Sequence, residues 1–61
     1  MPLIEVTIVE GRTREQKLAL MARVTDAAIE TLGVSPQAVR VCIREIPFEH
    51  WGVAGKPMDR R

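Results

Sequence analysis

The sequence predicts an α/β fold of the smallest kind, a single β-α-β unit with parallel strands and a short C-terminal hairpin. Three observations predict it. The chain opens on a run of β-branched residues, continues through a capped segment of helical periodicity, and returns to a second alternating run.

Residues 3–9, Leu-Ile-Glu-Val-Thr-Ile-Val, read as the first strand. Ile4, Val6 and Ile8 share one face; Leu3, Glu5, Thr7 and Val9 share the other. Gly11 marks a break after Glu10. Thr13 with Gln16 then fits a capping box, in which two side chains satisfy free N–H groups at a helix start. From there to Leu32 the periodicity is helical, with Leu18, Met21, Ala22, Thr25, Ala28, Ile29 and Leu32 on one broad stripe. Arg23, Asp26 and Glu30 lie opposite, and Gly33 is placed to end the helix.

Ser35-Pro36 opens a turn, and residues 39–46 read as the second strand, with Val39, Val41 and Ile43 alternating with Arg40, Cys42 and Arg44. A strand, a helix and a strand of these lengths give a parallel pair with a right-handed crossover. The helix is expected to cover Ile4, Val6, Ile8, Val39, Val41 and Ile43. Pro47 ends the strand. Residues 48–57 hold two glycines near an aromatic, the pattern of a short hairpin or loop.

All 61 residues, 1–61, form one domain at most, and a chain so short leaves about 40% of its unfolded surface exposed. One Cys excludes an internal disulfide, and one Cys with one His excludes a zinc site built from several such ligands. Yet 46% of the residues are hydrophobic. The missing core is therefore expected from further copies of the chain. Nine basic residues balance eight acidic ones, so no broad basic surface for nucleic acid exists. Neither a membrane span nor a signal peptide is legible, and with a lone thiol the expected location is cytoplasmic.

The atom with chemical potential is at the front. Within the chain the Pro2 nitrogen is an amide without base strength. Removal of Met1, which a small second residue permits, would make it a secondary amine. A free α-amino group has a reference pKa of about 7.7–8.0, and apolar burial or nearby guanidinium charge would lower it toward the range of a general base. Read alone, Pro2 is equally a residue that begins a strand. Arg12 and Arg40 are each ordinary surface charges in isolation. Together beside an amine they can hold carboxylates through paired N–H bonds and stabilise an enolate. Trp51 reads as packing or as the apolar wall of a pocket. His50 reads as a solvated loop residue, Cys42 as small interface packing, and Arg44, Arg60 and Arg61 as solvated or subunit-contact charges.

Pro2-Leu3-Ile4, Val9-Glu10-Gly11-Arg12 with Glu15-Gln16-Lys17, Val39-Arg40-Val41 and Trp51-Gly52-Val53-Ala54-Gly55 resemble the 4-oxalocrotonate tautomerase family over nearly the whole chain. The resemblance implies a β-α-β subunit assembled as a hexamer, a trimer of dimers. It implies an isomerase that moves a proton between carbons of a 2-hydroxydienoate or related enol to give an α,β-unsaturated ketone, without cofactor or metal. Carried over by position, Pro2 is the general base and then the acid, and Arg12 binds the substrate's distal carboxylate. Arg40, from a neighbouring subunit, holds the 1-carboxylate and 2-oxygen. Trp51 stands where the family has a pocket phenylalanine. Leu3 and Val9 complete the expected substrate-contacting set with Arg12, Arg40 and Trp51.

Two departures carry consequences. The family's Gly-Ile-Gly-Gly stretch reads Gly52-Val53-Ala54-Gly55, so a positive φ at Ala54 would strain or reshape the hairpin. Val53 lacks the carboxylate with which the superfamily's dehalogenase branch activates water, so haloacrylate hydration is not expected as the main activity. Other readings stay open: a non-catalytic partner subunit of a mixed hexamer, or a Pro2-dependent hydration, decarboxylation or carbon–carbon bond formation, since a secondary amine is also a nucleophile.

Overall fold

The computed structural model describes residues 1–58; Arg60 and Arg61 lie outside the described residues. Strand β1 (Leu3–Val9) leads to helix α1 (Arg14–Leu32), and a 3-10 turn at Pro36–Ala38 precedes strand β2 (Arg40–Ile46). β1 and β2 pair in parallel, from Leu3 opposite Arg40 to Val9 opposite Ile46. A second 3-10 turn, Phe48–His50, feeds the hairpin of β3 (Gly52–Val53) and β4 (Lys56–Pro57). The β-α-β order, the parallel pair and the hairpin are those the sequence predicts.

The helix start is held as its residue types dictate. The Thr13 N–H donates to Gln16 Oε1 at 3.0 Å, and the Gln16 N–H donates to Thr13 Oγ1 at 3.1 Å. At the other end Gly33 takes the left-handed conformation, φ 70°, and its N–H donates to the Ile29 carbonyl at 3.0 Å. β2 begins one residue later than expected, at Arg40. The Val39 N–H is spent on the Pro36 carbonyl of the preceding 3-10 turn, at 3.2 Å, and is lost to the ladder.

The alternation of the strands sorts their side chains as expected. Ile4, Val6, Ile8, Val41 and Ile43 are half-buried on the helix side; Leu3, Glu5, Thr7, Arg40, Cys42 and Arg44 are exposed on the other. The helix is turned differently from its expected stripe. Lys17, Leu20, Val24, Thr25, Ala28 and Ile29 are its covered residues, whereas Leu18, Met21, Ala22 and Leu32 are exposed. Its apolar arc is wider than two strands can cover, so periodicity alone could not say which part meets the sheet. Lys17 adds an ion pair across the two layers, Nζ to Glu45 Oε2 at 3.1 Å.

This arrangement leaves almost nothing enclosed. Ala28, 6% exposed, is the one buried hydrophobic residue among those described. The Cα radius of gyration is 14.3 Å, against about 10.5 Å for a compact chain of this length. With extents of 41 × 24 × 13 Å the chain is a slab one helix and one sheet thick. Among the described residues, both edges of the β1–β2 sheet and one whole face of it lack a covering element.

Candidate active site

Pro2 lies half-buried at the start of β1, and its carbonyl accepts the Arg40 N–H at 3.0 Å. This bond closes the first rung of the parallel pair and places Arg40 beside the chain's N-terminal end. The Arg40 side chain is exposed, and its Nη1 donates to the Gln37 carbonyl at 2.6 Å. Leu3, 58% exposed, sits opposite Arg40 on the uncovered face. Three expected site residues, Pro2, Leu3 and Arg40, thus gather at one end of the sheet.

The other three gather at the opposite end. The Glu10 N–H donates to the Ile46 carbonyl at 2.9 Å, which extends the pairing one residue past β1. Gly11 follows with φ 118°, a conformation closed to most side chains, and turns the chain so that Arg12 stands at the strand end. The segment after β2 folds back toward the same place. In the 3-10 turn the His50 N–H donates to the Pro47 carbonyl at 2.9 Å and the Trp51 N–H to the Phe48 carbonyl at 3.1 Å. The Met58 N–H then donates to the Trp51 carbonyl at 2.7 Å, so Trp51 is held from both sides. The result is an open cleft of about 560 Å³ lined by residues 7–12 with Phe48, Trp51 and Met58.

Val9, Arg12 and Trp51 therefore share a cleft, and Pro2, Leu3 and Arg40 do not reach it. Seven residue steps of strand at ~3.3 Å each separate Pro2 from Val9 by about 23 Å. The sequence reading missed Phe48 and Met58 as cleft residues. Phe48 carried a signal, being one of two aromatics in a chain with little core to fill; Met58 carried none. His50 and Cys42 are exposed. Among the described residues no cluster of His, Cys, Asp and Glu has the composition of a metal site, and no helix is long and apolar enough to cross a membrane.

Known proteins resemble this chain along nearly its whole length. The family described as tautomerase enzyme matches residues 2–61. The chain is 58% identical over 57 residues to a probable tautomerase of Ralstonia nicotianae, covering 93% of this chain and 81% of that one. It is 44% identical over 55 residues to the 2-hydroxymuconate tautomerase of Comamonas testosteroni, covering 90% of this chain and 87% of that one. The chain belongs to the 4-oxalocrotonate tautomerase family. A solved heterohexamer 4-oxalocrotonate tautomerase from Chloroflexus aurantiacus superposes with a TM-score of 0.91 at 40% identity, covering 95% of this chain and 94% of that one. This tautomerase is accordingly an isomerase, with activity like that of 2-hydroxymuconate tautomerase. Its hairpin carries the departure noted in the sequence: Ala54 has φ 54° and Gly55 φ 81°, a two-residue turn of the type I′ kind with a side chain where glycine or asparagine is usual.

Proposed function

We propose that Pro2, freed by removal of Met1, is the proton-transferring base of this tautomerase, and that the site is completed only between copies of the chain. The observation that supports this reading is the split of the candidate residues, with Pro2, Leu3 and Arg40 at one end of a two-stranded sheet and Val9, Arg12 and Trp51 at the other. The free edge of β1 supplies the remedy. A two-fold axis beside it pairs β1 with β1 of a second copy in antiparallel fashion, so the start of each strand meets the end of the other. Pro2 of one copy then faces the Arg12 and Trp51 cleft of its partner, twice per dimer. The uncovered sheet face, from which Leu3 and Arg40 project, is the surface on which further dimers stack, and Arg40 is delivered to the site of a neighbour. This is the assembly of a hexamer, a trimer of dimers.

In that site the neutral amine of Pro2 takes a proton from a 2-hydroxydienoate or related enol acid. The electron pair moves along the conjugated system, and charge gathers on the 2-oxygen and the adjacent carboxylate. Arg40 stabilises that charge with N–H donors fixed before the reaction begins. The ammonium of Pro2 then returns the proton to a distant carbon, giving the α,β-unsaturated ketone. One proton leaves and one arrives, so no oxidant, reductant or water is consumed. Arg12 and Trp51 position the far end of the substrate, and the apolar surroundings keep the amine deprotonated near neutral pH.

Subunit mixing tests the shared site. Pro2→Ala and Arg12→Ala chains, each nearly inactive alone on 2-hydroxymuconate, are unfolded together and refolded. Random assembly restores activity to about one quarter of the sites if Pro2 and Arg12 come from different chains. No recovery would place both residues in one chain's site and overturn the reading. The heterohexamer of Chloroflexus aurantiacus favours one variation, in which this chain assembles with a similar partner chain. Mass measurement of the native assembly distinguishes one kind of subunit from two.

A further inference from the structure

β2 breaks its apolar alternation at Glu45. Val41 and Ile43 are its half-buried residues on the helix side, and the next position on that side carries a carboxylate. Its partner is Lys17, a half-buried residue of α1, with Nζ to Oε2 at 3.1 Å and side chains 27% and 37% exposed. An apolar pair would hold the two layers together about as well, since a partly solvated ion pair contributes little to stability. What the ion pair adds is direction. A hydrogen-bonded contact fixes a position, whereas apolar contact is non-directional and permits sliding.

The place that it fixes is the sheet end from which Arg12 leaves. The Lys17 N–H donates to the Thr13 carbonyl at 3.1 Å, and the Thr13–Gln16 capping box holds the same first turn. Glu45 precedes Ile46, whose carbonyl accepts the Glu10 N–H at 2.9 Å. Lys17 therefore closes a ring that runs from Thr13 through Lys17 to Glu45, and from Ile46 back to Glu10. Gly11 and Arg12 are the two residues strung between its anchors, Glu10 and Thr13. Arg12 borders two hollows, the cleft with Phe48 and Trp51 and a groove on the helix side lined by Ile8, Gln16, Lys17 and Leu20. The place of the helix start relative to the strand end decides which hollow its guanidinium serves.

We propose that Lys17 and Glu45 are positioning residues for the reaction, acting through Arg12 by holding the start of α1 against the end of β2. Neither residue lines the Arg12 and Trp51 cleft, so their effect is relayed rather than exerted on the substrate. The inference rests on the reading that Arg12 receives the far carboxylate of a substrate whose reacting end lies at Pro2 of another copy. It deepens that reading by naming what holds Arg12 in place.

The test uses the assembled protein with Met1 removed and two substrates, 2-hydroxymuconate and 2-hydroxypenta-2,4-dienoate, a monocarboxylate with no far carboxylate. Lys17→Met and the near-isosteric Glu45→Gln should each raise KM for the dicarboxylate by about 10-fold and keep kcat within about 2-fold. KM for the monocarboxylate should stay within about 2-fold of the parent. Glu45→Gln carries the test if Lys17→Met fails to assemble, and Lys17→Arg, which can rebuild the pair, should restore most of the KM. The double variant Lys17→Met/Glu45→Leu separates positioning from packing. It should regain the parent's thermal midpoint while KM for the dicarboxylate stays raised. In an Arg12→Ala background, Glu45→Gln should change KM no further. Additive losses in that cycle, an unchanged dicarboxylate KM in the pair variants, or a KM restored by the apolar double variant would each overturn the proposal. The Arg12→Ala arm keeps the two claims apart. If it raises KM for the dicarboxylate while the pair variants do not, the positioning role alone fails; if it leaves that KM unchanged, the reading of Arg12 fails and takes the positioning role with it.

Discussion

The Arg40 N–H donates to the Pro2 carbonyl at 3.0 Å, which fixes the proposed base to the first rung of the sheet before any second copy arrives. The Pro2 carbonyl is therefore held by β2, while the nitrogen itself leads out to the exposed Met1. Met1 lies outside the sheet ladder, which begins at Leu3, so its loss leaves the ladder intact and creates an amine at a prepared position. The proposed chemistry would thus be added to a strand start that the fold builds in any case.

Pro2→Ala should lower kcat/KM on 2-hydroxymuconate by about 10²–10⁴-fold, the range a positioned base contributes. The loss is incomplete, because processing of the variant leaves a primary amine. A chain that retains Met1, identified by its intact mass, should show no proton transfer. Unchanged turnover in either protein contradicts the role.

The pH dependence has a definite sign. If the base is the neutral Pro2 amine, as proposed, log(kcat/KM) should rise with unit slope as pH climbs toward the amine's pKa and level off above it. The proposed shared site would set guanidinium groups beside the amine and disfavour the charged ammonium, so the expected midpoint lies below the reference of about 7.7–8.0. A pH–rate profile locates it. A midpoint above the reference would argue against the pocket described.

The two arginines should separate in their kinetics. In the proposed site Arg40 meets the oxygen on which charge develops, so Arg40→Ala should lower kcat by about 10²–10³-fold. On the same proposal Arg12 meets the far end, equally in ground and transition states, so Arg12→Ala should act mainly on KM and mainly for a dicarboxylate. Identical effects of the two substitutions would mean that they serve one end of the substrate.

Much of this is legible in the sequence, for physical reasons that differ from element to element. Thr13, Gln16 and Gly33 bound the helix correctly because caps are local: each satisfies backbone groups within a few residues. The strand faces follow from alternation, which has one answer. The helix stripe does not. Leu20 and Val24 meet the sheet in place of Leu18, Met21, Ala22 and Leu32, because a helix that serves both its own sheet and further surroundings carries more apolar residues than one contact needs. The division of the candidate site residues between the two strand ends is also hidden. Spacing along a chain says nothing of which sheet end a residue occupies until the register of Leu3 with Arg40 is known.

The chain's thin core predicts a stability that depends on concentration. With Ala28 alone buried among the described residues, an isolated chain lacks the enclosed apolar area that offsets its conformational entropy. Apparent Tm should therefore rise with protein concentration, and dilution should cost helix content and activity together. Circular dichroism and sedimentation across a dilution series measure both. A Tm independent of concentration, with the mass of a single chain, would remove the basis for a shared site.

The hairpin offers the sharpest test of backbone physics. Ala54 holds φ 54° on an exposed turn where its methyl group is open to solvent, so its cost is conformational and unopposed by packing. A left-handed alanine costs roughly 1–2 kcal/mol, part of which glycine returns as greater freedom in the unfolded chain. Ala54→Gly should therefore stabilise the assembly by about 0.5–1 kcal/mol per subunit. A second variant, Ala54→Asn, keeps a side chain yet favours the same turn, and it should stabilise by a similar amount. Hydrogen exchange at Val53 and Lys56 should slow in both variants, since those residues pair across the turn. Turnover should change little, because the turn itself does not line the Arg12 cleft. Destabilisation by both substitutions would mean that the methyl group of Ala54 packs against another copy, and that the strain is retained for the contact it makes.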